Sequence, residues 1–273
     1  MKILKGNFNL KSTLLSGQCF RVSEENDGSF TIILEDRVVN VKDDDKYLEI
    51  NSNNEDNLEK VIIDYFDLKR DYNKINHSLL NSDFSLKEVI TYCEGYKILN
   101  QSNFEMIISY IISQNNTVKN ISRCVEKLSE LFGKKVFFNN KYYYLFPSFD
   151  ELKNVSEGSL KKCSVGFRSK YIINALEEIK KESNYFDSIN NLSTEESLEK
   201  LMKIKGIGMK VASCILMFAY GRMDAFPIDT WVKKFFNSNK ENEIREIAYQ
   251  KFGKYCGLAI QYMFHYSRNK DVL

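Results

Sequence analysis

The stretch Ser193-Thr-Glu-Glu-Ser-Leu-Glu-Lys-Leu-Met-Lys-Ile-Lys-Gly206-Ile-Gly208-Met-Lys210-Val-Ala-Ser-Cys214, continuing through Phe226-Pro227-Ile228-Asp229-Thr230-Trp231, decides the fold of the C-terminal part of the chain. Ser193 with Glu196 forms a capping box that starts a helix. Leu198, Leu201, Met202 and Ile204 give that helix an apolar face. Gly206 and Gly208 then allow a tight turn and a close backbone approach. A second helix follows at once, with Val211, Ala212, Ile215, Leu216 and Ala219 turned inward. The pattern is a helix–hairpin–helix. Its backbone N–H groups and the second helix N-terminus make a site for a phosphate.

Two side chains after the hairpin carry chemistry. Lys210 falls in the first turn of the second helix, where the helix dipole disfavours positive charge, and Lys203 and Lys205 stand nearby. A lysine so placed is a candidate nucleophile, or else a phosphate contact. Asp229 follows nineteen residues later, two after one of only two prolines in the chain. It reads as an N-cap, as a carboxylate stabilising developing positive charge, or as both.

Outward from this stretch, helices are expected at 103–114, 117–132, 168–183 and 240–268, with nearly everything helical after Leu86. Residues 28–51 instead read as three strands, around Thr31–Leu34, Val38–Val41 and Tyr47–Ile50. Asn26-Asp27-Gly28 and Asp43-Asp44-Asp45 supply turns between them, and a helix is expected over Asp56–Leu68. The fold class is α+β, with a β-rich domain at 1–95 and a helical domain at 96–273.

Charge divides the 273-residue chain at the same place. The formal total is +2, but residues 1–95 carry a net −6 and the remainder a net +8. The basic part is either a solvated face or a surface for a polyanion such as nucleic acid, whose binding would be salt-sensitive. Six cysteines, at 19, 93, 124, 163, 214 and 256, form no C-x-x-C pair, and only His77 and His265 add to them. That argues against zinc ribbons, cysteine-dense cluster loops and histidine-based metal catalysis. No apolar run reaches the roughly 20 residues of a membrane span, and the start has no signal-peptide core. A cytoplasmic, monomeric protein is expected, associated with the nucleoid if bacterial, with no membrane partner, no metal and no cofactor.

The hairpin, Lys210 and Asp229 together resemble the helix–hairpin–helix DNA glycosylase superfamily, and within it the 8-oxoguanine DNA glycosylase/AP lyase family. Three more segments carry the narrower resemblance. Leu15-Ser16-Gly17-Gln18-Cys19-Phe20-Arg21 looks like that family's S-G-Q-x-F-R signature. Ile112-Ser113-Gln114-Asn115-Asn116 is similar to its helix-ending asparagine cluster. Phe146-Pro147-Ser148 through Val165-Gly166-Phe167-Arg168-Ser169-Lys170-Tyr171 matches its G-aromatic-R-x-x-Y stretch.

The resemblance implies a TATA-binding-protein-like antiparallel β domain followed by the helical glycosylase domain. It implies base-excision repair of duplex DNA containing an oxidised purine. Lys210 would attack C1′ of the damaged nucleotide and form a Schiff base, and Asp229 would stabilise the sugar. Gly17 would accept the N7–H of 8-oxoguanine through its carbonyl. Cys214, one helical turn from Lys210, and Phe264 on the last helix would sandwich the flipped base. Asn115 would fill the vacated space, Phe167 would wedge into the duplex, and Arg168 would contact the orphan base.

Four positions depart from the family pattern. The wedge tyrosine is Phe167, and an arginine that elsewhere helps read the opposite cytosine falls at Asn120. A phosphate-contacting histidine is replaced by Trp231, which keeps a place among the expected DNA contacts. The glutamine of the last helix falls at Ile260, leaving Gln261 as the candidate for the base's pairing edge. A relaxed preference for the opposite base is therefore expected. The alternatives are another oxidised-purine or alkylpurine glycosylase of the superfamily, or a non-catalytic helix–hairpin–helix module. Lys210 argues against the alkylpurine enzymes, and a lone Cys256 argues against the cluster-bearing members.

Overall fold

The computed structural model describes residues 1–270. Five short strands build one antiparallel sheet: β1 (Lys2–Leu4), β2 (Val22–Glu24), β3 (Phe30–Ile33), β4 (Val38–Asp43) and β5 (Tyr47–Ser52), in the order β1-β5-β4-β3-β2. The three inner strands are those expected from the β-branched runs. Register pairs Ile32 with Val39 and Val41 with Ile50, so alternate side chains fall on one face. Ile32, Val39, Val41, Leu48 and Ile50 are accordingly buried, beneath α1 (Leu10–Leu14) and α2 (Leu58–Tyr65). Ile62 and Phe66 seal that layer.

The rest is a helical body: α3 (Tyr72–Ser82), α4 (Lys87–Tyr92), α5 (Asn103–Ser113), α6 (Val118–Phe132), α7 (Phe149–Leu152), α8 (Glu157–Lys162), α9 (Arg168–Lys180), α10 (Tyr185–Asn190), α11 (Thr194–Met202), α12 (Met209–Tyr220), α13 (Thr230–Phe235), α14 (Glu241–Phe252) and α15 (Cys256–Lys270). The architecture is α+β. Helices α3 and α4 precede residue 95, yet Tyr72, Ile75, Leu79 and Ile90 join the core of the helical body. The stretch expected to be helical over 240–268 divides into α14 and α15 at Gly253, whose φ of 56° ends the first helix.

One element interrupts the helical part against expectation. Strands β6 (Lys135–Phe138) and β7 (Lys141–Tyr144) form a hairpin closed by Asn139-Asn140, both with positive φ. Its Phe138 packs with Leu145 and with Val38 of the sheet, tying the two layers together.

Helix α12 runs through the centre of the helical body, against α5 and α11, and every residue from Val211 to Phe218 is buried. That burial fixes the direction of the α12 N-terminus, where Lys210 stands. The start of α15 is fastened to the α12–α13 connection by the Gly257 N–H, which donates to the Met223 carbonyl at 2.7 Å.

Candidate active site

A cavity of about 330 Å³ opens where the loop after α1 meets α12, the start of α13 and α15. It is lined by Gly17, Lys210, Cys214, Asp229, Gln261 and Phe264, so six residues expected from four separate segments share one cavity.

The hairpin presents Lys210. Ser193 and Glu196 make the expected capping box at the head of α11. Gly206 adopts φ 106°, and a Cβ on it would lie 2.4 Å from Cγ of Tyr171 in α9, so only glycine fits. Gly208 is different: its φ is −94°, it caps α12, and a Cβ there would meet open space. The hairpin thus turns one glycine to α9 and leaves the other facing outward. Lys210 is exposed, and among the described residues it has no hydrogen-bond or ion-pair partner. Cys214 is buried behind it, and burial pushes its thiol up to about 12 against a smaller opposing effect of Lys210. The thiol is neutral and serves as an apolar wall.

Asp229 takes the N-cap position and also lines the cavity. Its Oδ1 accepts the Val232 N–H at 2.9 Å and so caps α13, while the carboxylate lines the cavity with Lys210. The N-cap bond fixes the side-chain direction.

The opposite wall is the loop bearing Gly17, whose φ is 88°. Gln18 organises that loop. Its Nε2 donates to the carbonyls of Thr13 and Lys97, and its Oε1 accepts the Leu99 N–H at 2.8 Å. The Ser16 hydroxyl adds a bond to the Thr13 carbonyl at 2.8 Å. Among the described residues nothing donates to the Gly17 carbonyl, which remains available to a ligand. Gln18 belonged to the signature segment, but its use as a brace was not legible in the sequence.

Asn116, next to the expected contact Asn115, joins the cavity lining. Asn115 is exposed at φ 48° after α5, and Phe167 is 56% exposed at the head of α9, its ring edge-on to Tyr171. Two residues expected among the DNA contacts also make contacts within the protein. Arg168 is buried, and its guanidinium donates to the backbone carbonyls of Gln114, Asn115 and Val165. Those bonds occupy four of the five guanidinium N–H groups and hold the Asn115 loop. Trp231 has its Nε1 buried without a hydrogen-bond partner. Its ring stacks on Phe235 and lies edge-on to Phe264 at 5.8 Å, backing the cavity wall.

A family model described as the 8-oxoguanine DNA glycosylase N-terminal domain matches residues 1–107, and one for the HhH-GPD superfamily of base excision DNA repair proteins matches residues 108–254. The solved structure of MBOgg1 in complex with a low-affinity DNA ligand superposes with a TM-score of 0.91 at 39% identity, covering 98% of this chain and 94% of that one. The chain belongs to the 8-oxoguanine DNA glycosylase family. A further member of the family, the Clostridium acetobutylicum 8-oxoguanine glycosylase/lyase in complex with DNA containing cytosine opposite 8-oxoguanine, gives a TM-score of 0.90 at 35% identity. It covers 100% of this chain and 99% of that one. A probable N-glycosylase/DNA lyase of Methanothermobacter thermautotrophicus is 27% identical over 100% of this chain and 97% of its own length.

Within this family the departures now have surroundings. Asn120 donates to Asn116 Oδ1 at 2.7 Å and accepts from Arg123 at 2.7 Å, so its amide links two neighbours. Ile260 is buried in the cavity lining, and the Gln261 amide donates to the Tyr96 hydroxyl at 3.0 Å. One lining residue had no sequence signal at all: Arg268, near the end of α15. No helix among the described residues is long and apolar enough to cross a membrane.

Proposed function

We propose that this protein removes 8-oxoguanine from duplex DNA and then cleaves the strand at the abasic sugar. The observation that carries the reading is the shared cavity: a lysine without a partner, a fixed carboxylate and an unpaired backbone carbonyl line one space large enough for a base.

The flipped nucleotide places C1′ beside Lys210 and its base between Cys214 and Phe264. The unprotonated amine of Lys210 attacks C1′, the C1′–N9 bond breaks, and the base leaves with the bonding electrons, taking up a proton from solvent. The charge that develops on the sugar is stabilised by the carboxylate of Asp229. Opening of the sugar ring gives the imine, and loss of a C2′ proton expels the 3′ phosphate. The Gly17 carbonyl accepts N7–H of the oxidised base. Guanine carries a lone pair at N7 and would leave that carbonyl unsatisfied, a cost of about 1–3 kcal/mol.

The two parts of the chain divide the work: 1–95 contributes Gly17, and 96–273 contributes the nucleophile, the carboxylate and the hairpin. Asn115 fills the helix, Phe167 wedges it, and Gly206 with Gly208 sets the hairpin against the phosphates. With Asn120 occupied and Arg168 tied to carbonyls, the opposite base is read loosely. The protein acts as a monomer in the cytoplasm or nucleoid, without a membrane partner and with no cofactor.

The test is borohydride trapping on a duplex with a single 8-oxoguanine, with peptide mapping of the adduct. An adduct at Lys210, absent with undamaged DNA and lost in Lys210→Gln while lesion binding persists, is expected. Base release by Lys210→Gln at the parent rate would overturn the assignment.

A further inference from the structure

The cavity contains one cation that the chemistry above does not use. Arg268 lies on α15 one turn beyond Phe264 and lines the same space. A Cβ built on Gly17 would lie 3.5 Å from its Nη1, so the guanidinium stands directly beside the residue placed against N7. It is exposed, and no carboxylate among the described residues pairs with it. Its neighbour His265 is engaged elsewhere, with Nε2 3.0 Å from the Ser12 hydroxyl, and burial together with Arg268 holds that ring below its ordinary value. A neutral His265 leaves Arg268 as the cation at this corner.

A guanidinium only donates, so it pairs only with acceptors. On 8-oxoguanine the acceptors flanking N7–H are the carbonyl oxygens O6 and O8. At the position of the family's glutamine this chain has the apolar Ile260, and one N–H of the adjacent Gln261 amide is given to Tyr96. We infer that Arg268 reads the flipped base, donating to a carbonyl oxygen beside N7 while Gly17 accepts from N7–H. The pair forms a donor–acceptor fork that undamaged guanine cannot satisfy. This rests on the function proposed above.

The experiment compares Arg268→Met, Arg268→Lys and the parent in single-turnover excision of 8-oxoguanine, in strand cleavage at a preformed abasic site, and in binding to undamaged duplex. Excision by Arg268→Met should fall roughly 10- to 100-fold, the range of one hydrogen bond to a charged group. Cleavage at the abasic site, which presents no base, should stay within about twofold of the parent because one phosphate contact is not involved. Arg268→Lys should recover part of the loss. A duplex carrying 8-oxoadenine, which keeps O8 and has an amino group in place of O6, locates the bond: loss on both lesions assigns O8, and loss on 8-oxoguanine alone assigns O6. Equal losses on lesion and abasic DNA, with a weaker salt dependence of undamaged-duplex binding, would make Arg268 a phosphate contact and overturn the inference. Unchanged excision by Arg268→Met would also overturn it while leaving the proposed function intact. A parent protein inactive on 8-oxoguanine would sink both.

Discussion

Arg168 Nη2 donates to the carbonyl oxygen of Asn115 at 2.9 Å, tying the head of α9 to the loop that leaves α5. Asn115 sits at positive φ, a conformation asparagine tolerates better than most non-glycine residues. Arg168→Ala should therefore release this loop and strand the carbonyls of Gln114 and Asn115, costing at least about 1.5–3 kcal/mol, the worth of one charged hydrogen bond. Excision should fall alike opposite all four bases. A loss confined to duplexes with cytosine opposite the lesion would mean that the guanidinium meets the base after all. Thermal melts and single-turnover rates with the four duplexes check both points.

The two duties of Asp229 can be separated by chemistry. Asparagine caps a helix about as well as aspartate, whereas alanine does not. Asp229→Asn should keep the melting temperature of the parent yet slow base release by roughly 10²–10³-fold, the usual scale for a lost electrostatic stabiliser. Asp229→Ala should lose activity similarly and also about 1 kcal/mol of stability. Equal excision rates for Asp229→Asn and parent would reduce the residue to its cap.

The two hairpin glycines should behave differently when given a methyl group. Gly206→Ala places a Cβ against Tyr171 at positive φ, so stability should drop by at least about 1–2 kcal/mol. Gly208→Ala meets open space at an ordinary φ, so the melting temperature should hold. If DNA phosphates approach that backbone, Gly208→Ala should still weaken duplex binding, measured by fluorescence anisotropy. A fold that tolerates Gly208→Ala with undiminished binding would remove the hairpin from the interface.

What was legible in the sequence follows from locality. The capping box at Ser193, the hairpin glycines, Lys210 and Asp229 lie within 37 residues, and each depends on backbone geometry that neighbouring residues dictate. The inner strands were readable because β-branched runs between turn residues have one good outcome. The β6–β7 hairpin carried its own signal in Asn139-Asn140, but Lys-Val-Phe-Phe and Lys-Tyr-Tyr-Tyr lack clean alternation and stand between strong helices. Arg168 shows a harder limit. Its position in the motif is plain, but whether a guanidinium turns to solvent or to three carbonyls depends on a loop 54 residues away. Arg268 had no motif, and only the packing of α15 against the Gly17 loop brings it to the cavity.

Stability should also carry a pH signature from a residue outside the site. Glu105 on α5 faces a second cavity, of about 530 Å³, between the sheet and the helices. Burial pushes its carboxyl up from 4.5 to about 7, with Glu35 and Glu126 adding to the effect and Arg21 opposing it. Between those two values the folded protein keeps a proton that the unfolded chain has released. The sign follows: this group imposes no penalty below about pH 4.5, and stability falls as pH rises through the window to a full deficit above about pH 7. Each pH unit across the window is worth about 1.36 kcal/mol at most, so a total of roughly 1–3 kcal/mol is expected. Glu105→Gln, which mimics the protonated form, should raise the melting temperature at pH 8 and change it little at pH 5. If the variant is destabilised at pH 8 instead, the attraction of Arg21 for the carboxylate outweighs its burial.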